Sequence, residues 1–151
     1  MSSWIISLET PEAGDLERVG GKAANLSRLL RAGMPVPQAF VVTTEAFRAH
    51  FPEADPAQAP GVPHLQERLR AAIDAATKRH FPNPETTLAV RSSAVAEDGL
   101  AASFAGQHAT YYFIERSDVA DAVRHCWLSL WSAQAMAYRA GNEGAGAGGF
   151  A

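Results

Sequence analysis

GGKAANLSRLLRAGMPVPQAFVVT, residues 20–43, holds in one run a glycine pair, a helix, a stop and a strand. Leu26, Leu29 and Leu30 recur at helical spacing, which predicts a helix over residues 22–33 with the leucines on one face. Gly33 sits where a helix C-terminus wants a residue tolerant of left-handed backbone. Pro35 and Pro37 then forbid continuation and hold the chain extended. Ala39 to Thr43, AFVVT, reads as a buried strand.

Working outward from this run, the chain alternates short strands with helices. Trp4, Ile6 and Leu8 alternate with smaller or polar residues and predict a strand, followed by a polar connection from Glu9 to Gly21. Thr43 and Thr44 are placed to cap a short helix over Glu45 to His50. FPEADPAQAPGVP, residues 51–63, carries Pro52, Pro56, Pro60 and Pro63 and reads as a loop. A second helix is expected over residues 64–80, with Leu65, Leu69, Ala72, Ile73 and Ala76 on one face. TTLAVR (86–91) and HATYYFI (108–114) read as strands on either side of a small-residue stretch, SSAVAEDGLAASFAGQ. A last helix is expected from Ser117, as cap, to about residue 139. Asp118 would lie near its positive end, and Val119, Val123, Cys126, Trp127 and Leu130 would form its apolar stripe at the centre of the core. The fold class is α+β or α/β in one domain over residues 1–139, and the Gly/Ala-rich residues 140–151 are expected to form a flexible tail.

The gross numbers limit the functional classes. An apolar fraction of 47% with 19% charged residues is that of an ordinary globular domain. The formal charge of −3 is spread along the chain, without the clustered basic face that nucleic-acid binding needs. No apolar run approaches the ~20 residues of a membrane span, and the first residues do not read as a signal peptide. The single cysteine, Cys126, excludes an internal disulfide. The expected address is the cytoplasm, with neither nucleic acid nor membrane as a partner.

Two places carry candidate chemistry. Gly20-Gly21-Lys22 opens a helix, where backbone can approach a ligand closely, N–H groups favour an anion, and a lysine adds a mobile point charge. It is not a Walker A loop, because Leu16 and Ala23 stand where that motif has Gly and Ser/Thr. The bland alternative is a glycine turn with a solvated lysine. The second place is Val90-Arg91-Ser92-Ser93, followed by Glu97-Asp98 and by Ser103-Phe104-Ala105-Gly106-Gln107. Arg91 at a strand end beside hydroxyls can fork onto phosphate oxygens, and the small-residue loop offers backbone N–H groups. The alternative is a structural ion pair of Arg91 with Glu97 or Asp98. His50, His64, His80, His108 and His125 show no metal-ligand spacing with Cys126 and are read as packing or surface residues. Cys126 is read as a structural thiol, and Trp127 and Trp131 as core aromatics.

Taken together, GGKAANLSRLLRAGMPVPQAFVVTTEAF, AVRSSAVAEDGLAASFAGQ and AVRHCWLSLWSAQAMAYR resemble, in order and approximate spacing, the opening of the phosphoenolpyruvate synthase and pyruvate phosphate dikinase family. Rifampicin phosphotransferases share this first domain. The resemblance runs from about Val19 to Arg139. It implies the N-terminal portion of an ATP-grasp-like domain that binds Mg-ATP and sends a phosphoryl group through a histidine on a swivelling domain to pyruvate or another acceptor. It places Lys22 and Arg91 as the cationic, catalytic phosphate ligands, Ser92 beside them, and Ser103, Phe104, Ala105, Gly106 and Gln107 as the phosphate-covering loop. The family's adenine pocket, acidic metal ligands and phosphocarrier histidine have no counterpart in these residues. Mg2+ ligands, the second ATP-grasp lobe and the phosphohistidine domain are therefore expected in cis or in trans, with an apolar seam where that lobe docks. Other readings of the same residues are a non-catalytic interaction module that retains the fold and an ATP-dependent ligase of secondary metabolism.

Overall fold

The period-2 alternation in two short strands divides the interior of this chain into two cores. A computed structural model describes residues 3–52, 64–93, 95 and 109–132. Strands β1 (Ile5–Ser7) and β2 (Phe40–Val42) pair antiparallel, with Ile5 opposite Val42, Ile6 opposite Val41 and Ser7 opposite Phe40. Successive side chains leave a strand on opposite faces. Ile6 and Val41 therefore join one cluster with Leu8, Val19, Ala23 and Ala24, while Ile5 and Val42 join the other.

The smaller cluster lies under helix α1 (Leu16–Arg31). The helix starts at Asp15, whose carboxylate accepts the Glu17 N–H at 3.1 Å. The polar connection expected up to Gly21 is thus partly helical: a 3-10 turn fills Pro11–Gly14, and the first turn of α1 precedes the glycine pair. A second correction concerns the leucines. The buried face of α1 is Val19, Ala23, Ala24 and Ser27, small residues that let the helix lie close to the strands. Leu26 and Leu29 are 38% and 47% exposed, as is Met34 at 53%. Leucine periodicity marks a helix correctly, and Leu30 packs against this cluster, but Leu26 and Leu29 lie outside it, because close packing against the Pro11–Gly14 turn and β2 favours alanine on the inner face. The helix ends as expected: Gly33 has φ +78°, its N–H bonds Leu30 O, and the Met34 N–H bonds Leu29 O, both at 3.0 Å.

The larger cluster is aromatic and holds the other three helices. Helix α2 (Thr44–His50) is capped by Thr43, whose hydroxyl accepts the Ala46 N–H at 3.4 Å. Helix α3 (Glu67–His80) begins later than residue 64, and Leu65, Leu69, Ile73 and Ala76 are buried as expected, with Ala72 half-buried. Helix α4 (Val119–Leu128) carries Trp127, 1% exposed, into the centre of this cluster. Phe47 meets Trp127 edge-on at 5.6 Å and stacks on Trp131 at 6.2 Å. Arg70 on α3 donates to Asp121 on α4 at 2.7 Å and ties the two helices together.

Helix α4 also departs from expectation at both ends. It is entered through a 3-10 turn (Arg116–Asp118), and Ser117 donates to Asp118 Oδ1 rather than capping the helix. At its other end it tightens into another 3-10 turn at Ser129–Trp131. The Leu130 side chain, the expected helical stretch past residue 132, the tail and most of the proline-rich loop lie outside the described residues.

Strands β3 (Leu88–Arg91) and β4 (Thr110–Ile114) form a second antiparallel pair, packed on α4. The architecture among the described residues is α+β: helices packed on two small antiparallel sheets, rather than the parallel sheet of the α/β class.

Candidate functional site

The first candidate place is built by a break inside α1. Gly20 has φ +75° and ψ 170°, a conformation essentially reserved for glycine. The helix restarts at once, so Gly21, Lys22 and Ala23 form the first turn of a fresh helix N-terminus. Two residues from distant sequence close this break. The Thr44 hydroxyl donates to Glu17 O at 2.7 Å. The Ser93 hydroxyl accepts the Ala23 N–H at 3.2 Å and so caps the restarted helix from another element. Gly20 packs so closely on Ser93 that an added Cβ would lie 2.2 Å from the Ser93 carbonyl oxygen.

This clasp decides where Lys22 goes. Its ammonium donates to Ser92 O at 3.1 Å. The exposed lysine of the glycine motif is thereby drawn onto the chain leaving β3, next in sequence to Arg91. The two places that the sequence singled out separately, 70 residues apart, are one locus in the fold. The plain glycine turn with a solvated lysine does not describe this arrangement.

Arg91 ends β3 opposite Thr110, on the exposed face of the strand. Its guanidinium donates to the Tyr112 hydroxyl at 3.2 Å and lies 5.7 Å from the centre of that ring. Glu97 and Asp98, the ion-pair partners considered for it, lie outside the described residues, as do Ser103, Phe104, Ala105, Gly106 and Gln107. Ser92 is buried, and its hydroxyl points to Ala109 O at 3.5 Å while its carbonyl receives Lys22.

The sequence places Ser92 and Ser93 together beside Arg91 but assigns a ligand role to Ser92, whereas Ser93 does the capping; adjacent serines at a strand end carry no signal for which of them caps. Tyr112 was read only as a strand former. Its role shows in the register, because the ring stands diagonally across from Arg91.

The remaining candidates resolve into structure. Cys126 is buried beneath the site with its sulfur near Val90 O and Ala109 O, and burial pushes its thiol up to about 12, which leaves no thiolate for chemistry near neutral pH. Trp127 and Trp131 are core aromatics. His50 is buried against Phe51 and Trp127. Among the described residues no group of three or more His, Cys, Asp or Glu could hold a metal, and no helix is long and apolar enough to cross a membrane.

The exit of β3 therefore carries an ammonium and a restarted helix N-terminus, with the Arg91 guanidinium one residue earlier turned back along the strand toward Tyr112; these are donor types suited to anionic oxygens. The comparisons give the domain family. The model of the pyruvate phosphate dikinase AMP/ATP-binding domain matches residues 16–59 and 56–145. A prodigiosin synthesizing transferase, PigC, of Serratia marcescens is 38% identical over 89% of this chain and 16% of its own length. A phosphoenolpyruvate synthase of Aeropyrum pernix is 36% identical over 82% of this chain and 19% of its own. A rifampicin phosphotransferase of a Streptomyces species is 34% identical over 93% and 19%. The chain thus spans less than a fifth of the length of these relatives. With matches that cover both halves of the clasp, the chain belongs to the pyruvate phosphate dikinase AMP/ATP-binding domain family.

Proposed function

We propose that this chain is the ATP-binding subdomain of a phosphoenolpyruvate synthase-like phosphotransferase, which passes a phosphoryl group from ATP through a phosphohistidine on another domain to pyruvate. The observation that carries this reading is the clasp: Gly20 locked on Ser93 and Lys22 bonded to Ser92 O, beside Arg91. Lys22 and Arg91 bind the phosphate chain, Lys22 as a compact charge and Arg91 as a planar fork. Both neutralise charge that develops as the phosphoryl group leaves. Ser92 fixes Lys22 through its carbonyl, and residues Ser103 to Gln107 cover the phosphates. Mg2+, when bound with ATP, supplies further charge neutralisation. Its ligands, like the adenine pocket, are assigned to the second lobe of the domain. That lobe and the phosphohistidine domain act in cis or in trans, in the cytoplasm.

Other readings differ in the acceptor. A rifampicin phosphotransferase-type kinase would use the same half-site. The 38% identity to a prodigiosin synthesizing transferase favours, as a second reading, a transferase with a different acceptor, and an ATP-dependent ligase of secondary metabolism is a third. A non-catalytic module that keeps only the fold would be indifferent to loss of the two cations.

Calorimetric titration of Mg-ATP into the chain, beside a Lys22→Ala, Arg91→Ala double variant, tests the shared premise. Hydrogen bonds to charged groups contribute about 1.5–3 kcal/mol each, less where water screens them. Weak binding that falls at least about tenfold in the double variant supports the reading. Equal heats from both proteins, or heat from neither, refute the claim that this chain carries phosphate contacts of its own.

A further inference from the structure

Strands β3 and β4 do not pair evenly. Arg91 faces Thr110 and Val90 faces Tyr111, but Leu88 faces Ile114. One residue of β3, Ala89, therefore opposes two of β4, Tyr112 and Phe113. This is a β-bulge, which re-aims the side chains that follow it. Phe113 takes the strain, with φ +57°. The shift turns Ile114 inward onto the aromatic cluster beside Leu88 and Val90, and it leaves both Tyr112 and Phe113 outside.

An even register would place Ile114 outside and Phe113 inside. It would still put Tyr112 on the face that Arg91 shares, so burial alone does not explain the use made of Tyr112. The Arg91 guanidinium carbon is 5.7 Å from the ring centre, near the outer limit of about 6 Å for a cation over a ring, whereas Nη2 reaches the hydroxyl at 3.2 Å. The guanidinium thus rests at the hydroxyl rim of the tyrosine. A guanidinium has five N–H donors. The Tyr112 hydroxyl takes one of them.

We propose that Tyr112 is a positioning residue for Arg91: it holds the guanidinium at the mouth of the phosphate site, so that an anionic phosphate chain meets an arginine already ordered. The inference rests on the reading of Arg91 as a phosphate ligand. Its physical basis is the conformational freedom of a long side chain, which must otherwise be given up when the ligand binds. Tyr112 touches no phosphate in this scheme and acts only through Arg91.

Two measurements on the full chain test this. The first is side-chain 15N NMR of the Arg91 Nε–H, in ligand-free wild type, Tyr112→Phe and Tyr112→Ala. A restrained guanidinium in wild type that becomes mobile in Tyr112→Ala, with Tyr112→Phe between, is expected. Equal mobility in all three overturns the proposal. The second is a double-mutant cycle with Mg-ATP and, separately, with Mg-tripolyphosphate, which lacks the base. Tyr112→Ala should weaken both ligands about three- to fivefold, the size expected for an exposed cation–ring contact, and should have no further effect in an Arg91→Ala background. If Arg91→Ala itself is neutral, the functional reading fails and the inference goes with it. If Arg91→Ala weakens binding while Tyr112→Ala does not, the inference alone fails. A Tyr112→Ala effect that persists without Arg91, or that is confined to Mg-ATP, would mean that the ring contacts the nucleotide directly, and it also overturns the proposal.

Discussion

Replacing Gly20 by alanine should be far more damaging than making the same change at Gly33, and the difference measures the clasp. The two glycines have nearly the same φ, +75° and +78°. At Gly33 an added Cβ meets nothing within 4 Å, so alanine there suffers only left-handed strain, about 1–2 kcal/mol, partly offset by a stiffer unfolded chain. At Gly20 the ψ of 170° puts the residue in a region that is essentially glycine-only, at about 1–3 kcal/mol. In addition, the new methyl would lie 2.2 Å from Ser93 O and 2.5 Å from Ser93 C, both backbone atoms that cannot swing aside. Moving them resembles overpacking a core, at a further ~1–3 kcal/mol. The expected excess of Gly20→Ala over Gly33→Ala is thus about 2 kcal/mol or more, a large share of the ~5–15 kcal/mol that holds a domain folded. Urea unfolding followed by tryptophan fluorescence reports it as a lower midpoint at unchanged slope. Equal losses in the two variants would refute the reasoning, because they would mean that α1 does not press on the exit of β3.

Other expectations follow from single residues. His50 is buried with neither ring nitrogen bonded among the described residues, and burial lowers its pKa. Its folded-state pKa lies below that of the unfolded chain, so the unfolded state takes up more protons: stability is full above about pH 6.5 and is lost progressively as pH falls further. Unfolding midpoints measured from pH 7 to pH 5 should fall more steeply in wild type than in His50→Leu, and parallel curves would count against this. Phe113 stands 84% exposed at φ +57°, where asparagine is far better tolerated than a bulky ring. Phe113→Asn should stabilise the chain by about 0.5–1 kcal/mol, since little packing is lost and left-handed strain is relieved. A lower thermal midpoint would argue that the ring makes a contact worth more than the strain.

Element types were readable from the sequence because each rests on a local rule. Thr43 caps α2, Gly33 ends α1, and Leu69 and Ile73 are buried one turn apart. What could not be read is where two elements meet. Nothing local says that Ala23 and Ala24 rather than Leu26 and Leu29 turn inward, since that depends on how close the strands come. Nothing local says that Ser93 will cap a helix 70 residues earlier, or that the strand after it will bulge at Phe113. The candidate site shows the same division. Lys22 and Arg91 stand out by residue type and by resemblance, yet the docking of Lys22 on the residue after Arg91 depends on Gly20 tolerating a backbone that other residues avoid. The residues that fix the site, Ser93, Thr44 and Tyr112, have no type-specific signal.

The placement of the clasp gives the half-site a mechanical meaning. Lys22 rides on α1, which packs on the smaller core, whereas Arg91 leaves β3, which packs with α4 on the larger one. Among the described residues, the contacts between α1 and the exit of β3 centre on Ser92 and Ser93. Ala23 N–H bonds Ser93 Oγ, Lys22 Nζ bonds Ser92 O, and Gly20 packs against Ser93. An anion bridging Lys22 and Arg91 would strengthen a junction that is otherwise hydrogen-bonded rather than apolar. Hydrogen bonds are individually modest, but the backbone contact of Gly20 on Ser93 is close-packed, so the junction holds α1 and the exit of β3 in one fixed arrangement. If Lys22 and Arg91 hold phosphate as proposed, the clasp fixes the backbone of both cations in advance of the ligand. Only the two side-chain heads, one resting on Ser92 O and the other on the Tyr112 hydroxyl, would then have to turn toward a shared anion.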